Sequence, residues 1–258
     1  VVAEAAMRRT QRILPPLALA LAMTVGAAAC SGSARHAAAP VVLEAPKLVT
    51  TPPAPPPPPP HTVVATATVP TVPVYSAPGG DVVAPALANP NEFGLPLVFR
   101  VLAVQADWVQ VMLPRRPNGS TGWLRAADVT TADDDWRMQV ELGAHRLTVW
   151  KGADVIRQET VAVGMPSAPT PTGDFYLTEI LDTGHPSGPY GPWAFGLSAF
   201  SDVYTSFAGG PGQIGLHGTN EPQALGADAS HGCIRVTNEA ITDLAQRVPP
   251  GTPISIVR

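Results

Sequence analysis

The chain has 258 residues, a formal net charge of −4, 31 prolines and only 14% charged residues. An acidic chain of this kind carries no basic footprint for nucleic acid. Its length suits one or two globular domains, and so many prolines with so few charges exclude one ordinary packed domain running from end to end.

Residues 1–6 precede Met7 and read as an over-extended start without a role. Arg8, Arg9 and Arg12 form a basic region, and residues 17–29 are apolar and rich in small side chains. That run is short for a membrane span and reads as an export signal; an uncleaved anchor helix is the alternative. Ala27-Ala28-Ala29-Cys30 resembles a lipoprotein signal, which implies a signal peptide over residues 1–30, cleavage before Cys30 and lipidation of its thiol. Ala27 departs from the Leu usual there, so cleavage after Ala29 by an ordinary signal peptidase is the competing outcome. The expectation is an exported cell-envelope protein held at the outer face of the cytoplasmic membrane by an N-terminal lipid anchor. A disulfide between the two cysteines, Cys30 and Cys233, is permitted in that compartment, but the chain gives each a separate task.

Residues 31–61 form a Pro-rich disordered linker. Pro55 to Pro60 are consecutive, and such a run adopts a stiff polyproline helix. Fully extended at about 3.1 Å per residue, the tether reaches roughly 90 Å, enough to carry a domain from membrane to wall. A docking site for a Pro-binding module is the other reading.

Residues 62–131 change character. Residues 62–69 alternate Val, Ala and Thr, residues 97–104 are apolar and β-branched, and residues 108–113 alternate again. The stretch 117–120 is a hairpin turn, and Gly122-Trp123-Leu124 opens a further strand. Short strands with turn signals predict a small all-β barrel. The run WVQVMLPRRPNGSTGWLRAADV resembles a bacterial SH3-like domain. Trp108 and Trp123 are read either as barrel core or as a ligand platform. Asp133-Asp134-Asp135 marks the boundary, read as a solvated charge run. All the candidate catalytic residues lie beyond it, so residues 62–131 are expected to fold alone and to be dispensable for chemistry on a small peptide.

The last domain spans residues 136–258. Residues 139–142 and 146–150 read as a hairpin, residues 155–163 as another strand, and residues 174–180 as a strand after a Pro- and Gly-fixed turn. Residues 182–210 are rich in Gly, Pro, Ser and aromatics, and are expected to be irregular. Thr237 or Asn238 can cap a helix whose apolar positions are Ala240, Ile241, Leu244, Ala245 and Val248, ended by Pro249-Pro250-Gly251. Residues 254–257 close the domain as a strand.

The chemistry concentrates in IGLHGTNEPQALGADASHGCIRVT, residues 214–237. Cys233 is a nucleophile only as thiolate, and an imidazole can take its proton. His217 lies sixteen residues earlier, too far for one helix face but within reach of two strands joined by a loop. His231, two residues before Cys233, would point to the same side on an extended segment. Gly232 lets the backbone bend, and the amides of Gly232 and Cys233 would then face a developing oxyanion.

His217-Gly218 followed by Ser230-His231-Gly232-Cys233-Ile234-Arg235 resembles the signature of the L,D-transpeptidase catalytic domain, the YkuD-like family. Gly164 and Thr170-Pro171-Thr172-Gly173-Asp174-Phe175 resemble a second family segment, for which a structural role is the favoured reading. The resemblance implies a mainly β chain: the SH3-like barrel, then a β-sandwich-like catalytic domain with a helix after the catalytic Cys. It implies cysteine-dependent acyl transfer on peptidoglycan stem peptides through a Cys233 thioester, a 3–3 cross-link as product, and no cofactor. His217 is then the base, oriented by a carbonyl or hydroxyl near Gly218, with Gly218, His231 and Gly232 in support. Ser230 and Arg235 would hold substrate or tune the thiolate, a structural ion pair being the alternative for Arg235. Tyr190 and Trp193 would be lid contacts, or simply pack.

Three other functions compete: trimming of the stem peptide as an L,D-carboxypeptidase, a zinc site from His217, His231 and Cys233, and an inert wall-binding lipoprotein. Three nitrogen and sulfur ligands suffice for catalytic zinc, but no further Cys or carboxylate is placed to help. An inert copy would most cheaply lose Cys or His, and neither is lost.

Overall fold

A computed structural model describes residues 62–258 apart from residues 84 and 208. The expected signal segment, Cys30 and the Pro-rich tether lie outside the described residues.

The alternation read from the sequence builds the first unit. Its elements are β1 (Thr62–Ala67), β2 (Thr71–Val72), β3 (Leu87–Ala88), β4 (Val98–Gln105), β5 (Trp108–Met112), β6 (Thr121–Arg125) and β7 (Val129–Asp134). Five of them form an antiparallel sheet in the order β6-β5-β4-β1-β7. Val109 and Val111 on β5 and Leu124 on β6 point into a core with Ala65, Val74 and Phe99. Period-two alternation therefore turns Trp108 and Trp123 to the other face, where both are half-buried. The edge of Trp108 meets Tyr75 at 4.9 Å between ring centres, and the Arg125 guanidinium lies over both rings.

The acidic run is exposed at Asp133 and Asp135, as expected of a solvated run, but not at Asp134. Asp133 and Asp134 end β7, opposite Val63 and Thr62 of β1. Asp134 is 4% exposed and accepts from the Trp136 amide at 2.9 Å and the Thr252 hydroxyl at 2.8 Å. Burial raises its pKa, opposed by those two bonds. A carboxylate with two donors can be taken out of water where a free one cannot.

The second unit contains β8 (Trp136–Glu141), β9 (Arg146–Lys151), β10 (Asp154–Thr160), β11 (Val163–Gly164), β12 (Gly173–Asp182), β13 (Trp193–Phe200), β14 (Gln213–His217), β15 (Asp228–Ser230), β16 (Ile234–Arg235), α1 (Asn238–Ala245) and β17 (Pro253–Val257). Eight strands make one mixed sheet in the order β10-β9-β8-β17-β12-β13-β14-β16, and β11 pairs with β15 beside it. Among the described residues, the expectation of a mainly β chain with an α-helix after the cysteine holds. On β8, Trp136, Met138 and Val140 alternate inward, joined by Leu147, Val149, Ile254 and Ile256 from the flanking strands.

The stretch 182–210 is only partly irregular. Its aromatic residues Trp193, Phe195 and Phe200 belong to β13, which pairs with β12 from Leu177↔Leu197 to Asp182↔Trp193. Gly196 hides this strand from propensity, yet the glycine is required: a Cβ there would overlap the Glu179 carboxylate.

Thr237 caps α1, its hydroxyl accepting from the Ala240 amide at 3.1 Å. Ala240, Ile241 and Leu244 are the buried face, and α1 ends at Ala245, before Val248. The two units meet in an apolar cluster of Val64, Val98, Met112 and Tyr176. Gly251 approaches it so closely that a Cβ would overlap Val64.

Candidate active site

The register of two parallel strands builds the site. On β14 and β16, Leu216 lies opposite Ile234 and His217 opposite Arg235. One step back, the Gly215 amide donates to Cys233 Sγ at 3.4 Å. Alternate strand residues share a face, so His217 projects from the same side as position 215. A Cβ at Gly215 would stand 3.7 Å from His217 Cδ2 and 3.9 Å from Cys233 Sγ. The missing side chain is therefore the space between thiol and imidazole. Sequence reading gave Gly215 no role; the signal was its place two residues before His217 on a strand.

His217 is 3% exposed, and its Nδ1–H donates to the Gly218 carbonyl at 2.6 Å. A carbonyl only accepts, so Nδ1 carries the proton and Nε2 keeps its lone pair. Cδ2, the ring atom nearest position 215, adjoins Nε2. Burial holds His217 down to about 4, the Arg235 charge adding to the effect and the Gly218 bond opposing it. Burial pushes the Cys233 thiol up, opposed by the Gly215 amide and the Arg235 charge. At neutral pH the resting pair is thus a neutral thiol and a neutral imidazole.

Arg235 is held by Glu221, with Nη1 2.8 Å from Oε2. Its Nε is buried with no hydrogen-bond partner among the described residues. It acts on both titrating groups through charge, from within a structural ion pair.

The cysteine turn departs from the expected extended segment. His231 and Gly232 form a bend between β15 and β16, just before Cys233, with Gly232 at φ +119°. That conformation favours glycine and breaks the strand alternation. His231 is exposed and turned toward Phe207 and Tyr204, at 5.3 and 6.1 Å between ring centres. Ser230 is 1% exposed; its hydroxyl donates to the Cys233 carbonyl at 2.5 Å and accepts from the Gly232 amide at 3.1 Å. Ser230 therefore holds the turn and does not present its side chain to a substrate. The Gly232 amide, occupied by Ser230, is not the oxyanion donor the sequence reading made it; the Cys233 amide is the remaining candidate of that pair.

The Thr170 hydroxyl accepts from the Gly164 amide and donates to the Gly232 carbonyl, each at 2.8 Å. The second motif thus staples β11 to the cysteine turn. Asn238 is not the cap: its side-chain oxygen accepts from the Thr219 amide at 2.7 Å, just past His217-Gly218. A Cβ on Gly218 would overlap that oxygen, so only glycine lets Asn238 hold the His217 end of β14.

Tyr190 is 39% exposed and meets His217 edge to face at 4.8 Å. Trp193 instead packs partly buried against the main core. A cavity of about 510 Å³ opens beside Cys233, His217 and Tyr190, and extends to Glu179, Phe207 and Gln213. Among the described residues, no three His, Cys, Asp or Glu side chains are placed to hold a metal ion. The zinc reading needed His231 beside Cys233, and the bend at Gly232 turns it away.

A cysteine with a tautomer-fixed neutral imidazole on the next strand has the parts of a nucleophile and its base. Residues 135–256 match the family model for the L,D-transpeptidase catalytic domain. The chain is 37% identical over 123 residues to YkuD of Bacillus subtilis, named as an L,D-transpeptidase, covering 48% of this chain and 66% of that one. The Bacillus licheniformis YkuD is 33% identical over 121 residues, covering 47% and 65%. The chain thus spans just under two thirds of the length of these relatives. A crystal structure of an Enterococcus faecium L,D-transpeptidase is similar at 23% identity and a TM-score of 0.37, covering 48% of this chain and 50% of that one.

Proposed function

We propose that the protein is an exported L,D-transpeptidase that cross-links peptidoglycan through a thioester on Cys233. The observation that carries this is Gly215, whose amide donates to Cys233 Sγ at 3.4 Å and whose side-chain position lies 3.9 Å from Sγ and 3.7 Å from His217 Cδ2.

His217 Nε2 takes the thiol proton as Sγ attacks the carbonyl carbon between the third residue of a stem tetrapeptide and its terminal D-Ala. The Cys233 amide stabilises the oxyanion. When the C–N bond breaks, D-Ala leaves as an amine that receives the proton from His217. A second stem peptide's amine then attacks the thioester, His217 accepts its proton, and the proton returns to the departing thiolate. The product is a 3–3 cross-link. If water attacks instead, the same steps trim the stem. Tyr190 covers the imidazole at the cavity mouth, and the Arg235 charge favours the thiolate as it forms.

Residues 62–131 are read as an SH3-like domain, with the N-terminal segment as a lipoprotein signal and tether. Both are proposals from sequence resemblance and composition.

The test is intact-protein mass after incubation with a carbapenem, whose strained ring carbonyl stands in for the scissile amide. A stoichiometric adduct is expected on the wild-type chain and none on Cys233→Ser. An adduct that survives the substitution would place the nucleophile elsewhere.

A further inference from the structure

The cavity beside Cys233 is not walled by the catalytic domain alone. Glu92 and Phe93 of the first unit also line it. They sit in a tight turn organised by Asn91, whose side-chain oxygen accepts from the Phe93 and Leu95 amides, both at 3.0 Å. The Asn91 amide donates to the Leu95 carbonyl at 2.8 Å, and its side chain reaches Glu179 at 3.5 Å. Phe93 is thereby presented 49% exposed to the cavity.

A second turn of the same unit grips the connection from β13 to β14. Arg116 donates to three carbonyls of that connection: Ser201 at 2.6 Å, Tyr204 at 2.7 Å and Pro211 at 3.1 Å. Asn118 donates to the Phe200 carbonyl and accepts from the Phe200 amide, both at 2.8 Å. The guanidinium also lies over the Phe200 ring, at 5.1 Å. Charge-assisted bonds to three carbonyls fix the course of a chain that has little secondary structure of its own. Pro211, Gly212 and Phe207 of that connection line the cavity.

We propose that the first unit completes the substrate pocket: Arg116 and Asn118 are positioning residues for the β13–β14 connection, and Phe93 is a wall that meets the peptide. This rests on the acyl-transfer reading. It replaces the expectation that residues 62–131 are dispensable for chemistry. The Val64, Val98, Met112 and Tyr176 cluster and the Asp134–Thr252 bond hold the two units together.

The test uses the full chain and compares wild type with Phe93→Ala, Arg116→Ala, Arg116→Lys and Asn118→Ala, each checked for folding by near-ultraviolet circular dichroism. Turnover is measured on a soluble stem tetrapeptide with an amine acceptor. Alkylation of Cys233 by iodoacetamide reports the thiol alone. Hydrogen exchange reports the Ser201 amide, which donates to Gly212 at 2.8 Å across the connection.

Phe93→Ala should raise KM about tenfold with kcat within about twofold, as loss of a half-exposed aromatic contact predicts. Arg116→Ala should lower kcat about 10- to 100-fold, the cost of a misplaced pocket wall, with partial rescue by Arg116→Lys. Its Ser201 amide should lose protection while residues 146–151 keep theirs, and alkylation should stay within about twofold. Unchanged kinetics and unchanged exchange in folded variants would overturn the proposal. Should Arg116→Ala not fold, the exposed Phe93→Ala and the milder Asn118→Ala decide it. A wild-type chain alkylated at Cys233 but inactive on the peptide would overturn the acyl-transfer reading, and Phe93 as substrate wall with it. The exchange arm would then still decide whether Arg116 positions the connection.

Discussion

Acidifying the buffer from about pH 7.5 to about pH 5.5 should leave acylation of Cys233 almost unchanged, although free histidine gains its proton across that range. His217 is buried, spends its Nδ1–H on the Gly218 carbonyl, and titrates at about 4. At pH 5.5 such a base is still roughly 97% neutral, whereas one at the reference value of about 6.5 is roughly 9% neutral, so the two cases differ about tenfold in rate. The assay is the second-order rate of carbapenem adduct formation by intact mass, from pH 3.5 to 8 in buffers of constant ionic strength. The acid limb should reach half-height near pH 4. The same burial affects stability with a definite sign. The folded pKa lies below the unfolded one, so the unfolded chain binds the proton first. Stability is intact above about pH 6.5 and is lost as pH falls toward 4, by about 3 kcal/mol for this group. His217→Gln should remove that part of the acid sensitivity. An acid limb centred between pH 6 and 7 would refute the depressed titration of His217 and show an imidazole that titrates as a solvated one does.

Gly215→Ala should fold if the Phe195 carbonyl, 3.3 Å from the added Cβ, gives by a few tenths of an ångström, and it fills the gap between thiol and imidazole, at 3.9 Å from Sγ and 3.7 Å from His217 Cδ2. Adduct formation in the folded variant should slow about 10- to 100-fold; a rate equal to wild type would show the gap is not used. Ser230→Ala leaves the Gly232 amide without its partner and the Cys233 carbonyl without its donor, which should cost about 1–3 kcal/mol in denaturant unfolding. Thr237→Ala removes the α1 cap and should cost about 1 kcal/mol, with adduct formation within a few-fold of wild type. Mass spectrometry of the mature N-terminus should find acylated Cys30; a chain beginning at Ser31 or beyond without acyl mass would remove the lipid anchor from the proposal. One acyl chain binds membranes only marginally, so at least two are expected on that residue.

Much of the site was legible because strands repeat every two residues and the chemistry uses rare side chains. Cys233 and His217 stood out by type, and the strands carrying Met138, Val149 and Ile254 stood out by alternation. What escaped was set by contacts distant in sequence. Nothing near Asp134 announces Thr252, its partner 118 residues away. Ser230 and His231 were judged by what their side chains can do, while Gly232 at φ +119° decided which way each one faces. The strand at Trp193 was masked by its Gly- and Pro-rich surroundings, and by Gly196, required where Glu179 approaches.

Because β14 and β16 run parallel, the chain must leave one and return to the start of the other, and the path it takes is not what spaces the thiol from the imidazole. Two rungs of a ladder set that spacing. The excursion between them, around the short turn Pro222–Ala224, is therefore a place where length can change. Added residues there should be tolerated at little cost, since loop-closure entropy grows only slowly with length. Inside the ladder the tolerance is nil. Removing one residue between Gly215 and His217 would reverse the imidazole to the opposite face of the sheet and leave the thiol without a base. An inserted tag or a longer natural loop at residues 222–224 and a single deletion at residue 216 are thus opposite extremes for the same catalytic pair.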